Sequence, residues 1–396
     1  MGLRSTPPRI LTINGGSSSI KFAVFTDGEP PERLLSGQVE RIGEPGTVLK
    51  AGEFTVAMAA SDHRDAAQHL INWLEERNRD GQFTAVGHRV VHGGLRVKEH
   101  QVVTPELLAD LRLLQPLDMT HLPREIALIE AFQARFPEAT HVACFDTVFH
   151  RDLPRVAQLL PIPRRYFEAG IRRLGFHGLS YMYLMRELVR VAGAAATGRI
   201  ILAHLGSGAS MAAIHNGRPV DTSMAFTPTA GLMMGTRPGD LDPGLLVYLM
   251  RMEKWTPEQL DKFVSHDCGL AGVSESASDV RELTERRTND VRAADALELF
   301  CYQAKKWIGA YAAALGGLET LVFSGGIGEH SPDVRSGICD GLEFLGIRLD
   351  PDLNAKAAPV ISVADSPVTV RVIPTDEESV VAEIVFDFIT QQQSRV

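Results

Sequence analysis

Two stretches of this chain carry the same pattern of apolar and small polar positions. ILTINGGSSSIKFAVFTDG (10–28) opens on an apolar run, breaks at a glycine–serine cluster, resumes as a β-prone run and ends at Asp27-Gly28. ILAHLGSGASMAAIHNG (201–217) repeats this about 190 residues later and ends at Asn216-Gly217. Asp-Gly and Asn-Gly are strong hairpin signals, because a two-residue turn needs residues that tolerate positive φ. Each stretch predicts a Gly/Ser-tipped hairpin that opens a structural unit.

Between and after them the apolar spacing changes. RDAAQHLINWLEERN (64–78), PELLADLRLLQPL (105–117) and PREIALIEAFQARF (123–136) have helical spacing. TAVGHRVVHGG (84–94) reads as a buried strand ending in a glycine turn, and HVACFDTVFH (141–150) as a buried strand ending at a polar group. DALELFCYQAKKWIGAYAAALGG (295–317) is the clearest helix, closed by two glycines as helix C-termini prefer, and the strand ETLVFSGG (319–326) follows it. Strands alternating with helices predict an α/β protein with largely parallel sheets. The repeat is too long for a solenoid. It predicts two duplicated domains, with ligands in the cleft between them and a boundary near 147–155.

Composition narrows the function. A chain of 396 residues that is 44% hydrophobic and 22% charged has ample material for full cores. A net charge of −9 excludes a broad nucleic-acid footprint and leaves room only for local recognition of anions. The four cysteines (Cys144, Cys268, Cys301, Cys339) are far apart and form no CxxC, which fits reduced thiols in a cytoplasm. No apolar run reaches the roughly 18 residues of a membrane span. The start, MGLRSTPPRI, has no signal-peptide core, although it meets the loose Met-Gly-x-x-x-Ser/Thr myristoylation pattern.

Four glycine loops could cradle phosphate with bare backbone N–H groups: NGGSSS (14–19), GSGAS (206–210), GTRPGD (235–240) and GGIGEHS (325–331). Each alone reads equally well as a tight turn; together they point to a nucleoside triphosphate. The chain has no GxxxxGK[ST], so a P-loop fold is excluded, and the helix-opening GxGxxG of a Rossmann fold is also missing. HRDL (150–153) imitates a kinase catalytic loop, but Ala157 stands where its Asn belongs and no DFG occurs. Arg89 and Arg237 lie in apolar or glycine-rich settings that call for an anionic partner, the plain alternative being a structural salt bridge. Asp146, Glu377 and Glu378 stand at the ends of β-prone runs, where hard oxygens suit Mg²⁺ bound to phosphates. His177, between glycines, could donate to a transferring phosphoryl group.

Taken together, NGGSSSIKF, GHRVVHGG, FDTVFH, GFHGLS, HLGSGAS, DTSMAFTPTAGLMMGTRPGD, GGIGEHS and IPTDEE resemble the acetate kinase family of the sugar kinase/Hsp70/actin superfamily, almost end to end. The resemblance implies two ribonuclease H-like (actin-like) domains with an interdomain cleft. The first would be 1–148 plus a C-terminal helix 379–396, and the second 149–378, carrying most of the nucleotide site and the contact of a homodimer. It implies Mg²⁺-dependent phosphoryl transfer from ATP to acetate, giving acetyl phosphate and ADP, in the cytoplasm, with Mn²⁺ as a substitute metal.

Asn14 and Glu377 would hold the metal. Arg89, Arg237, Asp146 and His177 would be catalytic. Arg89, Val91, Leu117, Phe176 and Pro228 would receive the acid. Ser17, Ser19 and Lys21 lie in the first phosphate loop. Lys21, His204, Gly206, Ser207, Gly208, Ala209, Asp279, Val280, Arg281, Gly326, Ile327, Gly328, Glu329 and His330 would hold the nucleotide. On this reading Arg89→Ala and Arg237→Ala lose most turnover with the fold intact.

The chain departs from the family at PLDMT (116–120), where Asp118 and Met119 replace His-Asn, and at Ser207, at Leu179-Ser180-Tyr181 and at Ala225. A carboxylate beside a carboxylate substrate is unfavourable by about 1 kcal/mol or more at 4 Å. Asp118 must therefore turn away, pair with an arginine, or mark a different acid, with His121 at hand to compensate. The alternatives are a kinase for propionate or another small acid and a low-activity nucleotide-binding regulator. A sugar kinase is a further one, which would need Asp146 as general base.

Overall fold

The computed structural model describes residues 8–77, 82–115, 118 and 121–393, and these form two compact units. One is built from 1–148 and 376–396, the other from 149–375. Leu117 and the myristoylation pattern lie outside the described residues.

The first unit holds eight strands: β1 (Pro8–Gly15), β2 (Ser19–Thr26), β3 (Arg33–Glu40), β4 (Val48–Ala51), β5 (Phe54–Ala57), β6 (Gln82–Val90), β7 (Gln101–Val102) and β8 (Thr140–Phe145). They form one sheet in the order β5-β4-β3-β2-β1-β6-β8-β7. The hairpin β1–β2 and strands β3 to β5 are antiparallel, whereas β6 runs parallel to β1 and β8 parallel to β6. The second unit holds β9 (Arg199–Leu205), β10 (Ala209–His215), β11 (Arg218–Thr222), β12 (Thr320–Ser324) and β13 (Thr369–Val372), in the order β11-β10-β9-β12-β13. Here too the first three strands form an antiparallel meander, and β12 and β13 add parallel. The run β3-β2-β1-β6-β8 is thus repeated as β11-β10-β9-β12-β13, which is the duplication heard in the two hairpins.

One turn signal works and its twin does not. Asn216 (φ 52°) and Gly217 (φ 70°) join β10 to β11 as a two-residue turn. Asp27-Gly28 instead starts a six-residue loop, closed by Thr26 N–H donating to the Glu32 carbonyl at 2.8 Å. The reason is local: Pro30 and Pro31 have no N–H to give a ladder. The segment GGIGEH is also helical (Gly325–His330) rather than a loop, and Glu377 and Glu378 open the last helix (Glu377–Gln393) rather than end a strand. The long helix runs Val291–Leu315, starting at the Asp290 cap and ending where Gly316 turns left-handed (φ 70°).

In the first unit, the helices His63–Arg77 and Leu122–Arg135 bury Leu70, Trp73, Leu74, Leu128 and Phe132 on the sheet residues Leu11, Ile13, Phe22 and Val24. The helix Glu377–Gln393 packs on β1, β6 and β8. It comes so close that a Cβ at Gly87 would stand 2.4 Å from Val381 Cγ1 and 2.7 Å from Val385 Cγ2. Gly87→Ala is therefore expected to lose about 1–3 kcal/mol, read as a lowered denaturant midpoint. An unchanged midpoint would show that this contact gives way freely. In the second unit Tyr181, Leu184 and Leu188 of the helix Gly178–Ala192 pack on Ile200, Leu202, Ala212, Ile214 and Val322.

Candidate functional site

In the first unit Arg89 is the penultimate residue of β6, and Asp146 follows the end of β8. Parallel neighbours end side by side, so two residues far apart in sequence meet at one sheet edge. Arg89 Nη2 lies 2.5 Å and Nε 3.1 Å from Asp146 Oδ2. Its Nη1 donates to Glu125 Oε1 at 3.0 Å and to the Gly15 carbonyl at 3.4 Å. Glu125 Oε2 accepts the Val91 N–H at 3.0 Å. Burial works against the charge on Arg89, but Asp146, Glu125 and Glu377 more than offset it and raise its pKa well above the ordinary arginine value. Burial pushes Glu125 up to about 8, against the pull of Arg89 and the Val91 N–H.

Glu125 was not among the residues read from sequence. It stands in PREIALIEAFQARF, whose two acids, Glu125 and Glu130, read as solvated surface. The signal was its register: Leu122, Glu125, Ile126, Leu128, Ile129 and Phe132 are the buried residues of that helix, so the acid lies inside the apolar stripe. Because Arg89 holds two buried acids, Arg89→Ala is expected to cost stability as well as turnover, which adds to the expectation drawn from the sequence.

Asn14, on β1, donates from Nδ2 to Glu377 Oε2 at 2.9 Å. Lys21 is opposite Asn14 in the β1–β2 register, is exposed, and shares its surroundings with Glu378. The Ser17 carbonyl accepts from Arg124 Nη1 at 2.8 Å, and the Ser19 carbonyl accepts the Gly16 N–H at 2.8 Å. Val91 is buried. Asp118 is buried, and its Oδ1 accepts the His121 N–H at 2.8 Å and lies 3.0 Å from His121 Nδ1. Of the outcomes considered for Asp118, pairing is the one seen, with a histidine in place of an arginine. Burial pushes the Asp118 carboxyl up, but His121 and His92 bring it below its usual range.

In the second unit a different group assembles. Arg237 Nη1 donates to the Pro228 carbonyl at 2.7 Å. A Cβ at Gly208 would stand 2.8 Å from Arg237 Nη2 and 3.3 Å from His177 Nε2, so these three residues adjoin. His204, on β9, lies against His177 with ring centroids 4.4 Å apart and has Ser180 Oγ 2.8 Å from its Nδ1. The Gly206 N–H donates to the Gly208 carbonyl at 2.9 Å, and the Ser207 carbonyl accepts the Gly235 N–H at 2.9 Å, which ties the 206–210 and 235–240 loops together. Ala209 and Phe176 are buried.

Asp279 caps the helix Val280–Arg286 by accepting the Arg281 N–H at 2.8 Å and pairs with Arg281 Nη2 at 2.6 Å. Both are exposed, whereas Val280 is buried. Gly326, Ile327, Gly328, Glu329 and His330 lie in the short helix after β12. There Glu329 Oε1 accepts the Gly325 N–H at 2.9 Å and the Thr375 N–H at 3.1 Å.

Oxygen donors of the kind that suit a hard divalent cation stand together at Asn14 and Glu377. Among the described residues no cluster of three or more His, Cys, Asp or Glu could hold a metal alone. Mg²⁺ on phosphates takes one or two protein carboxylates and keeps its waters.

Residues 9–383 match the model of the Acetokinase family. An acetate kinase of Rhodopseudomonas palustris (strain TIE-1) is 42% identical over 95% of this chain and 97% of its own. A propionate kinase (PduW) of Salmonella typhimurium is 40% identical over 95% of each. The crystal structure of Porphyromonas gingivalis acetate kinase superposes with a TM-score of 0.84 at 36% identity, covering 96% of this chain and all (100%) of that one.

Proposed function

The chain belongs to the acetokinase family, and from that premise we propose that it is an acetate kinase, transferring the terminal phosphoryl group of ATP to acetate and back, with Mg²⁺ on the nucleotide. The observation that carries the chemistry is the gathering of Arg89, Asp146, Asn14 and Glu377 in one unit.

A carboxylate with an ordinary pKa near 4–5 is already a nucleophile at about pH 7, so no general base is required. The barrier lies in bringing two anions together and in stabilising charge on the equatorial phosphoryl oxygens. Arg89 and Arg237 supply the guanidinium groups for that, and His177 a further N–H donor. Asp146 fixes the Arg89 fork by a two-nitrogen contact. Asn14 and Glu377 would hold the magnesium, whose chemistry is to neutralise phosphate charge. Val91, Phe176 and Pro228 receive the acyl group, and the 206–210, 279–281 and 326–330 segments receive the nucleotide.

The enzyme acts as a homodimer in the cytoplasm on this reading. The helix Pro243–Met252 supports the dimer: none of its residues is buried, and Leu245, Val247, Tyr248 and Met252 are all exposed. No described helix is long and apolar enough to cross a membrane.

A kinase for propionate or a related acid is the second reading, favoured by the propionate kinase relative. Trapping the acyl phosphate as hydroxamate, with acetate, propionate, butyrate and glycolate as acceptors, separates the two. We expect the highest kcat/KM with acetate. A tenfold preference for propionate would replace the first reading with the second, and ATP turnover indifferent to every acid would end both.

A further inference from the structure

His177 precedes the helix Gly178–Ala192 with φ 57° and ψ 25°, the left-handed region that costs a residue with a side chain. Its surroundings impose it. His150 Nε2 lies 3.0 Å from the Phe176 carbonyl, and a Cβ at Gly175 would stand 2.5 Å from the His150 ring, so the turn is clamped just before His177. The ring is held as firmly. Its Nδ1 lies 2.9 Å from Ser210 Oγ on β10, and that same oxygen is bonded to the Tyr181 hydroxyl. Ser210 and Tyr181 are both 0% exposed. The titratable and charged groups around the imidazole include His204 from β9, Tyr181 from the following helix, and Arg237 from the 235–240 loop.

Counting protons decides the arrangement. Tyr181 and Ser210 each bring one hydroxyl proton, and a buried O–H needs an acceptor. Burial pushes the Tyr181 phenol up, so it keeps its proton. If His177 Nδ1 carried a proton and donated to Ser210, either the serine or the tyrosine proton would be stranded. One chain satisfies both hydroxyl protons and Nδ1: Tyr181 O–H donates to Ser210 Oγ, Ser210 O–H donates to His177 Nδ1, and the imidazole is neutral with its proton on Nε2. We infer that Ser210 and Tyr181 are positioning residues that lock His177 in the neutral Nε2–H tautomer, aiming one fixed donor towards Gly208 and Arg237. This rests on the proposed role of His177 as a donor to the transferring phosphoryl group.

The test uses the full chain labelled with ¹⁵N-histidine, reading imidazole nitrogen shifts at about pH 7, with the His177 signal identified by its loss in His177→Gln. The wild type is expected to show Nε2–H. Ser210→Ala is expected to show a tautomer mixture and about tenfold lower kcat, with KM within about threefold, from the loss of one buried hydrogen bond. Ser210→Thr, which keeps the hydroxyl, restores both. An Nδ1–H or doubly protonated His177 in the wild type overturns the inference, and so does Ser210→Ala with the tautomer and kcat unchanged. An intact Nε2–H signal in a protein that phosphorylates no acid supports the lock and overturns the functional reading instead.

Discussion

Arg237→Ala is expected to lower kcat by about 10³-fold, the range seen when one guanidinium is taken from a phosphoryl-transfer site, while far-UV circular dichroism stays that of the wild type. The argument is local. Arg237 is half-buried, adjoins His177 at Gly208, and is aimed by the Pro228 carbonyl at 2.7 Å. A hydrogen bond from a charged group such as this one contributes about 1.5–3 kcal/mol, too little for its loss to unfold a unit with its own full core. Arg237→Lys keeps the charge without the planar fork and should recover only part of the rate, because the fork carries the geometry. A variant within tenfold of wild-type kcat would remove Arg237 from the chemistry.

The sequence made the duplication legible because a Gly/Ser break between two apolar runs has few structural meanings, and the strand order confirms that it occurs twice. Arg89 and Asp146 could be picked out because each ends a buried run, where a charge must have a purpose. Their mutual contact was not legible, since it depends on β6 and β8 being sheet neighbours. Glu125 was hidden because a helix repeats every 3.6 residues, and a single acid in its stripe reads as surface until a partner appears across the fold. Ser210 and Tyr181 were hidden for another reason. A serine in a glycine loop suggests phosphate, and only geometry shows this one turned to the His177 ring. Asp27-Gly28 misled because turn propensity is set by neighbours, here two prolines.

Arg89→Ala is expected to abolish most turnover and also to cost about 3–5 kcal/mol of stability, unlike Arg237→Ala, because it strands the buried Asp146 carboxylate. Asp146 and Glu125 are nearly inaccessible, with side chains 2% exposed, and both face the guanidinium. The pH dependence separates their shares. Glu125 is pushed up to about 8 in the folded chain, against an ordinary value of about 4.3. Between these values the folded state holds the extra proton, so Glu125's contribution to stability falls as pH rises through that window. Below about 8 it is protonated with or without Arg89, and the deficit of the variant then comes from Asp146. Above about 8 the wild-type Glu125 ionises beside its arginine, whereas the variant has to keep the proton or bury a bare charge. The deficit should therefore widen from pH 7 to about pH 9, measured by urea midpoints, and the widening should vanish in Arg89→Ala/Glu125→Gln. A deficit constant across that range would mean that Glu125 and Arg89 are not electrostatically coupled, and the cluster would lose its role in holding the guanidinium.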